Sequence, residues 1–226
     1  MPYANIALYM MKNMLVVFVA YLLGSINSAI IISKILYKED IRTHGSGNAG
    51  LTNMLRTYGT KAAVLTLFGD MLKTALAIGM AFVIGGDSGY LGGVCINPLC
   101  YYAGMYAVLG HVFPVFYKFK GGKGVLVTAT MALILCPKVF AALLIIFIIV
   151  VLISRYVSLG SIIVAILFPL AVYVDVVLVS PNSSLLILIP ALFLGIFVVW
   201  CHRSNIKRLK EGNEKKISIG GKKKKE

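Results

Sequence analysis

The residues best suited to chemistry lie in three short polar stretches set between apolar ones. The first, 42–53, reads RTHGSGNAGLTN: three glycines, three hydroxyl side chains, two asparagines, a histidine and an arginine. Glycine lets backbone N–H groups approach a ligand closely, and Arg42 adds positive charge, so the stretch suits an anion and above all a phosphate. The second, 118–124, places Lys118, Lys120 and Lys123 among Gly121, Gly122 and Gly124. The third begins at His202-Arg203 and continues through Asn205 to Glu214. Lys and Arg favour anions, and three such loops brought together would make one basic pocket.

The elements that must position these loops belong in a bilayer. Of 226 residues, 59% are hydrophobic and 13% charged, whereas soluble domains carry about 25% charged residues. Apolar runs of about twenty residues recur, enough to cross a hydrocarbon core of about 30 Å, and they lack the alternation of a transmembrane barrel. The expected fold is all-α and polytopic, a single integral membrane domain over 1–226 whose basic end, 211–226, is a flexible tail. A formal charge of +14 would suggest nucleic acid in a soluble chain. In a membrane chain it fixes topology and meets anionic lipid, so membrane lipids and no nucleic acid are the expected partners. Cys95, Cys100, Cys136 and Cys201 lack metal-ligand spacing and read as small apolar residues, so no metal is expected. The first apolar segment has no small-residue cleavage site before a soluble body and reads as an uncleaved span.

Spans are expected at about 14–37, 62–86 and 94–117, then over 125–153 with a break at Pro137-Lys138, then at 157–179 and 185–200. In the first, Gly24 and Ser28 have the small-xxx-small spacing that admits a neighbouring helix, and Ser25 belongs either to that packing or to a site. Asp70 and Lys73 share a face of the second, which must turn into the bundle or lie near the interface. An ion pair is the first reading there and a substrate role the second. His111, in the third span, reads as a packing residue.

Charge decides the count. With seven spans, Lys38, Arg42, Arg56, Lys61, Lys118, Lys120, Lys123, Arg155 and the basic tail share one side, against Lys12 and Lys138 opposite. Six spans would put the tail across the membrane from both basic loops. Basic residues concentrate in the cytoplasm, so seven transmembrane helices, the N-terminus outside and the C-terminus cytoplasmic, are expected. That places all three polar stretches on the cytoplasmic face.

Several chemistries are excluded. Gly124 follows Lys123, so the second stretch is not a P-loop, and no strand precedes it. There is no Ser/His/Asp signature and no metal cluster, and none of His44, His111 or His202 begins an HxxxxD acyltransferase motif. A transporter would show an internal repeat and polar groups at mid-membrane in several helices; no repeat is present and the polar residues gather on one face. A non-catalytic basic scaffold is the remaining rival.

The chain resembles the acyl-phosphate-dependent glycerol-3-phosphate acyltransferases of bacterial membranes, the PlsY family. Gly45-Ser46-Gly47-Asn48-Ala49-Gly50-Leu51-Thr52-Asn53 is similar to that family's GSGNxGxTN motif, and Phe119 to Val125 to its FKGGKGV motif. His202-Arg203-Ser204-Asn205-Ile206, with Arg208-Leu209 and Gly212-Asn213-Glu214, resembles its third. Ala49, Leu51, Cys201 and Ser204 are small departures.

The resemblance implies acyl transfer from a fatty acyl phosphate to the 1-hydroxyl of glycerol 3-phosphate, giving lysophosphatidic acid and phosphate at the inner (plasma) membrane of a bacterium, with the active site facing the cytoplasm. It implies no cofactor, neither CoA nor metal, and leaves room for contact with the enzyme that makes acyl phosphate. Acyl phosphate is already activated, so positioning and charge stabilisation are what the protein must supply. By the same resemblance Ser25, Arg42, Lys123, His202 and Asn205 are the catalytic positions. Arg42 and Lys123 would neutralise phosphate, Ser25 and Asn205 would orient it, and His202 would bind glycerol phosphate or take its proton, unless a substrate phosphate is the base. Gly45, Ser46, Gly47, Asn48, Gly50, Thr52 and Asn53 would bind substrate, as would Lys120, Gly121, Gly122 and Gly124, and Arg203 with Glu214.

Overall fold

The computed structural model describes residues 2–85, 89–91, 94–180 and 183–217. Parts of the links at 85–93 and 180–183, and the lysine run 222–225, lie outside the described residues. The first span holds two helices, α1 (Pro2–Ser25) and α2 (Ser28–Tyr37), where hydropathy alone indicates one. Asn27 makes the break: its Oδ1 accepts from the Ile30 N–H at 3.1 Å, a side-chain cap that starts α2. The orphaned Ile26 carbonyl is taken by Lys73 Nζ at 2.9 Å.

Next come α3 (Leu51–Tyr58) and α4 (Thr60–Gly85), then a hairpin of two two-residue strands, β1 (Tyr90–Leu91) and β2 (Val94–Cys95), the one departure from an all-helical chain among the described residues. After α5 (Pro98–Val112) the chain turns through the second polar stretch into α6 (Val125–Leu135) and α7 (Pro137–Ser154), separated at Pro137 as its missing N–H requires. α8 (Val157–Val174) ends in a π-helical turn at Asp175–Val179, and α9 (Leu188–Cys201) follows a 3₁₀ turn at Leu185–Ile187. The chain then bends by 52° into α10 (Arg203–Lys210).

Five segments are long and apolar enough to cross a membrane, six if α9 with its 3₁₀ turn and α10 form one bent span. α6 has eleven residues and at 1.5 Å per residue rises only about 16 Å, half a hydrocarbon core. The chain is thus a helical, multi-pass integral membrane protein.

Small residues bring the central helices together. A Cβ at Gly24 would collide with the Ala107 carbonyl of α5, and one at Gly110 with the Tyr21 carbonyl of α1. On the other side of the break, Gly69 of α4 leaves room for Ser28, whose Oγ would lie 2.6 Å from an added Cβ. The small-xxx-small pair therefore serves two neighbours at once. Asp70 and Lys73 do face the interior, 1% and 4% exposed, and are ion-paired at 2.9 Å. All four cysteines are free and buried.

Candidate active site

The first polar stretch is a self-wired loop. Gly45 and Gly47 have φ of +61° and +70°, open to glycine at little cost. Asn53 closes the loop: its Oδ1 accepts from the Ser46 N–H at 3.0 Å, and its Nδ2 donates to the carbonyls of His44 and Ile41 at 3.0 and 3.3 Å. Asn27 Nδ2 reaches the Ala49 carbonyl at 3.4 Å, fastening the loop to the helix break. Four of the five N–H donors of Arg42 are engaged. Its Nε and Nη2 donate to the two oxygens of Asp40 at 2.9 and 2.7 Å, and its Nη1 to the carbonyls of Tyr117 and Lys120 at 2.8 and 3.2 Å. The guanidinium holds the Asp40 carboxyl down at about 2, against the smaller opposing effect of burial.

Those carbonyls belong to the second stretch. The amides of Gly121 and Gly122 are not free donors for an anion, because they donate to the Val112 and His111 carbonyls, both at 3.1 Å. The glycines serve close approach instead. A Cβ on Gly121 would strike the His111 carbonyl, and one on Gly122 the His111 ring. Gly124, at φ +80°, then turns the chain into α6 with Lys123 just before it.

Lys123 Nζ donates to Asn205 Oδ1. Burial pushes its ammonium down to about 8, Arg208 adds repulsion, and Glu214 opposes both. Asn205 Nδ2 donates to Glu214 Oε1 at 2.7 Å, which also accepts from Ser158 Oγ at 2.8 Å, while Arg208 Nε donates to Oε2 at 2.7 Å. Burial would raise the Glu214 carboxyl, but the hydrogen bonds from Arg208, Ser158 and Asn205 outweigh it and leave it lowered. His202, Asn205 and Arg208 are three apart, so one face of the turn into α10 carries all of them. His202 is 3% exposed and its Nδ1 lies 2.7 Å from the Val198 carbonyl. A carbonyl only accepts, so Nδ1 carries the proton and Nε2 of the neutral ring is an acceptor.

The chain after α10 doubles back. Arg56 Nη2 donates to the Lys215 carbonyl at 3.0 Å and the Ile217 N–H to the Arg155 carbonyl at 2.8 Å, so 211–217 forms a strap between α3 and the α7–α8 turn. Residues 211–217 of the tail expected to be flexible are thus held, with Glu214 bound on both oxygens, and the rest of it lies outside the described residues.

These parts wall a cavity of about 660 Å³. Its polar mouth is formed by Gly45, Ser46, Asn48, Gly50, Thr52, Asn53, Lys123, Gly124, His202, Asn205, Arg208 and Glu214. No side chain caps the N-terminus of α3 or α6, and both first turns line it, so their N–H groups add to the positive field. Its far end is apolar, with Ala132, Phe140, Leu143, Phe147, Phe168 and Leu194 from α6 to α9. A second cavity of about 230 Å³ lies on another side of Lys123 and includes Asn48, Gly122, Trp200, Arg203 and Ser204. Ser25, Arg42, Gly47, Lys120 and Gly121 line neither. Ser25 is fully buried; its Oγ donates to the Tyr21 carbonyl at 2.9 Å and accepts from the Val115 N–H at 3.4 Å. Arg56 and His111 line the large cavity without having been expected there, and so does Asp70, for which a substrate role was the second reading.

A basic, amide-rich mouth that opens into an apolar chamber among membrane helices defines a class: a membrane enzyme that works on phosphorylated, acyl-bearing molecules. The chain belongs to the glycerol-3-phosphate acyltransferase family, whose model matches residues 14–212. It is 41% identical over 213 residues to the glycerol-3-phosphate acyltransferase of Enterococcus faecalis, covering 93% of this chain and 94% of that one. It is 39% identical over 203 residues to that of Bacillus subtilis, covering 90% and 96%. Among solved structures it is similar to PlsY, an integral membrane glycerol 3-phosphate acyltransferase, in its glycerol 3-phosphate form: TM-score 0.77, 32% identity, 91% of this chain and 96% of that one. The lysophosphatidic acid form of the same protein matches at TM-score 0.76 and 33% identity, covering 91% and 95%.

Proposed function

We propose that the protein transfers the fatty acyl group of an acyl phosphate to the 1-hydroxyl of glycerol 3-phosphate, releasing lysophosphatidic acid and phosphate, as a step in phospholipid synthesis. The observation that carries this reading is one cavity with both a cationic mouth and an apolar end. Lys123 and the first turns of α3 and α6 hold phosphate oxygens at the mouth, and the acyl chain lies between α6 and α9. The glycerol oxygen attacks the acyl carbonyl carbon, the bond to the phosphate oxygen breaks, and phosphate departs as a stable anion. The hydroxyl proton has two acceptors available, Nε2 of His202 and the departing phosphate. Arg42 serves the site from behind, bracing the Lys118–Lys120 turn against Asp40. No cofactor has a part in these steps.

The shared edge of 42–53, 118–124, Arg155 and 203–217 supports placing the site in the cytoplasm of a bacterial inner membrane, with α6 as the shortest of seven membrane helices. The test is direct: purified protein with acyl phosphate and glycerol 3-phosphate yields lysophosphatidate, and acyl-CoA does not replace the donor. Product from acyl-CoA alone would overturn the donor, and no product from either would overturn the reaction.

A further inference from the structure

We infer that Asp70, Lys73 and His111 form one positioning unit that fixes the helix break and both glycine-rich loops relative to each other. All three are buried, 1%, 4% and 3% exposed. Lys73 Nζ donates to the Ile26 carbonyl and meets His111 Nδ1, both at 2.9 Å, and is ion-paired with Asp70 Oδ1 at 2.9 Å. An ammonium has no lone pair and only donates, so His111 Nδ1 is the acceptor and the His111 proton lies on Nε2.

The two hydrogen bonds of Lys73 lead to different walls of the site. Ile26 is the unwound residue of the first span. Ser25 before it meets the Val115 N–H, and Asn27 after it holds the Ala49 carbonyl of the first loop. His111 carries the second loop: its carbonyl accepts from the Gly122 N–H at 3.1 Å, and its ring fills the space where a Gly122 Cβ would be. Lys123 is the next residue. One ammonium therefore sets where Lys123 stands relative to the amides of 45–53, across α1, α4 and α5.

Stability alone is a weak reason for such a device. Charges among membrane helices are expensive, and buried ion pairs are often matched or bettered by apolar residues of similar size. The same three helices already pack by small residues at Gly24, Gly69 and Gly110. What an apolar joint cannot supply is a directional bond to an exposed carbonyl at the break.

The test rests on the catalytic reading above, so wild-type turnover under the same conditions separates its failure from that of the reading. The variants are Lys73→Met, the charge-neutral double variant Asp70→Asn/Lys73→Met, His111→Leu, and His111→Asn, whose Oδ1 can take the place of Nδ1. Each is purified, checked for a monodisperse folded state, and measured for kcat and for KM toward glycerol 3-phosphate. A misplacement of about 1 Å costs about 100-fold in rate. The expected result is a kcat loss of about that size in Lys73→Met, the double variant and His111→Leu, with KM for glycerol 3-phosphate raised as well because Lys123 is displaced. His111→Asn should lose less than about fivefold. If the single Lys73 variant does not fold, the double variant and the His111 pair carry the test. A folded double variant with near-normal kcat, or His111→Asn as impaired as His111→Leu, would overturn the inference.

Discussion

Lys123 is the residue on which the acidity of the site turns. Its ammonium is held at about 8, below the ordinary 10.5, so in the empty protein the charge is present below pH 8 and lost above it. A bound phosphate restores the proton, so binding above pH 8 takes one up. KM for glycerol 3-phosphate should then rise toward about tenfold per pH unit above 8 and stay flat below. A flat KM through pH 9 would remove Lys123 from phosphate binding. The unfolded chain keeps this proton up to its ordinary value, so the Lys123 contribution to stability improves with pH between 8 and 10.5, opposite to its effect on binding. Lys123→Ala should abolish turnover while leaving folded protein, measured side by side with wild type. Lys123, His202 and Asn205 were legible from residue type and motif order. The engagement of Arg42 was not, since the Asp40 carboxylate two residues earlier could be a partner or merely a neighbour until the backbone turn at 41–43 is seen.

At the level of elements, the first loop needs glycine for its backbone conformation and the second for close approach, and one substitution tests the second. Gly122→Ala puts a methyl against the His111 ring and 2.8 Å from the Ala49 carbonyl. Lys73 holds that ring, so the loop must move instead, and turnover should fall about 100-fold as Lys123 shifts. Gly79, inside α4, meets nothing within 4 Å, so Gly79→Ala should keep activity and gain up to about 1 kcal/mol in thermal stability. Equal rates for the two variants would contradict this account. The apolar runs made nearly every helix legible, and Pro137 marked its own break. The interruption at Ile26–Asn27 was hidden because hydropathy weighs side chains and is blind to a carbonyl answered from another helix. Asn27 was the signal available, a capping residue inside an apolar run. The strap at 211–217 was hidden by composition: lysines suggested a solvated tail, while one carboxylate, Glu214, tied it down.

Across the whole molecule, the hydrogen bonds from Arg56 to Lys215 and from Ile217 to Arg155 draw distant loops to one edge. Gly89, exposed in the hairpin region, lies in the link expected on the other side. A Gly89→Cys variant in intact cells should react with a membrane-impermeant thiol reagent, and the four native cysteines, all buried, should stay silent. Reaction only after the membrane is breached would invert the topology. The strap also sets the order in which the enzyme becomes an enzyme. His202, Asn205 and Glu214 all follow α9, so while the chain is being made the apolar chamber exists before the polar mouth has its third wall. Lys123 waits without Asn205 until α10 follows the last membrane helix. A chain that has delivered α9 but not α10 and the strap therefore has its apolar chamber without the side chains that surround Lys123.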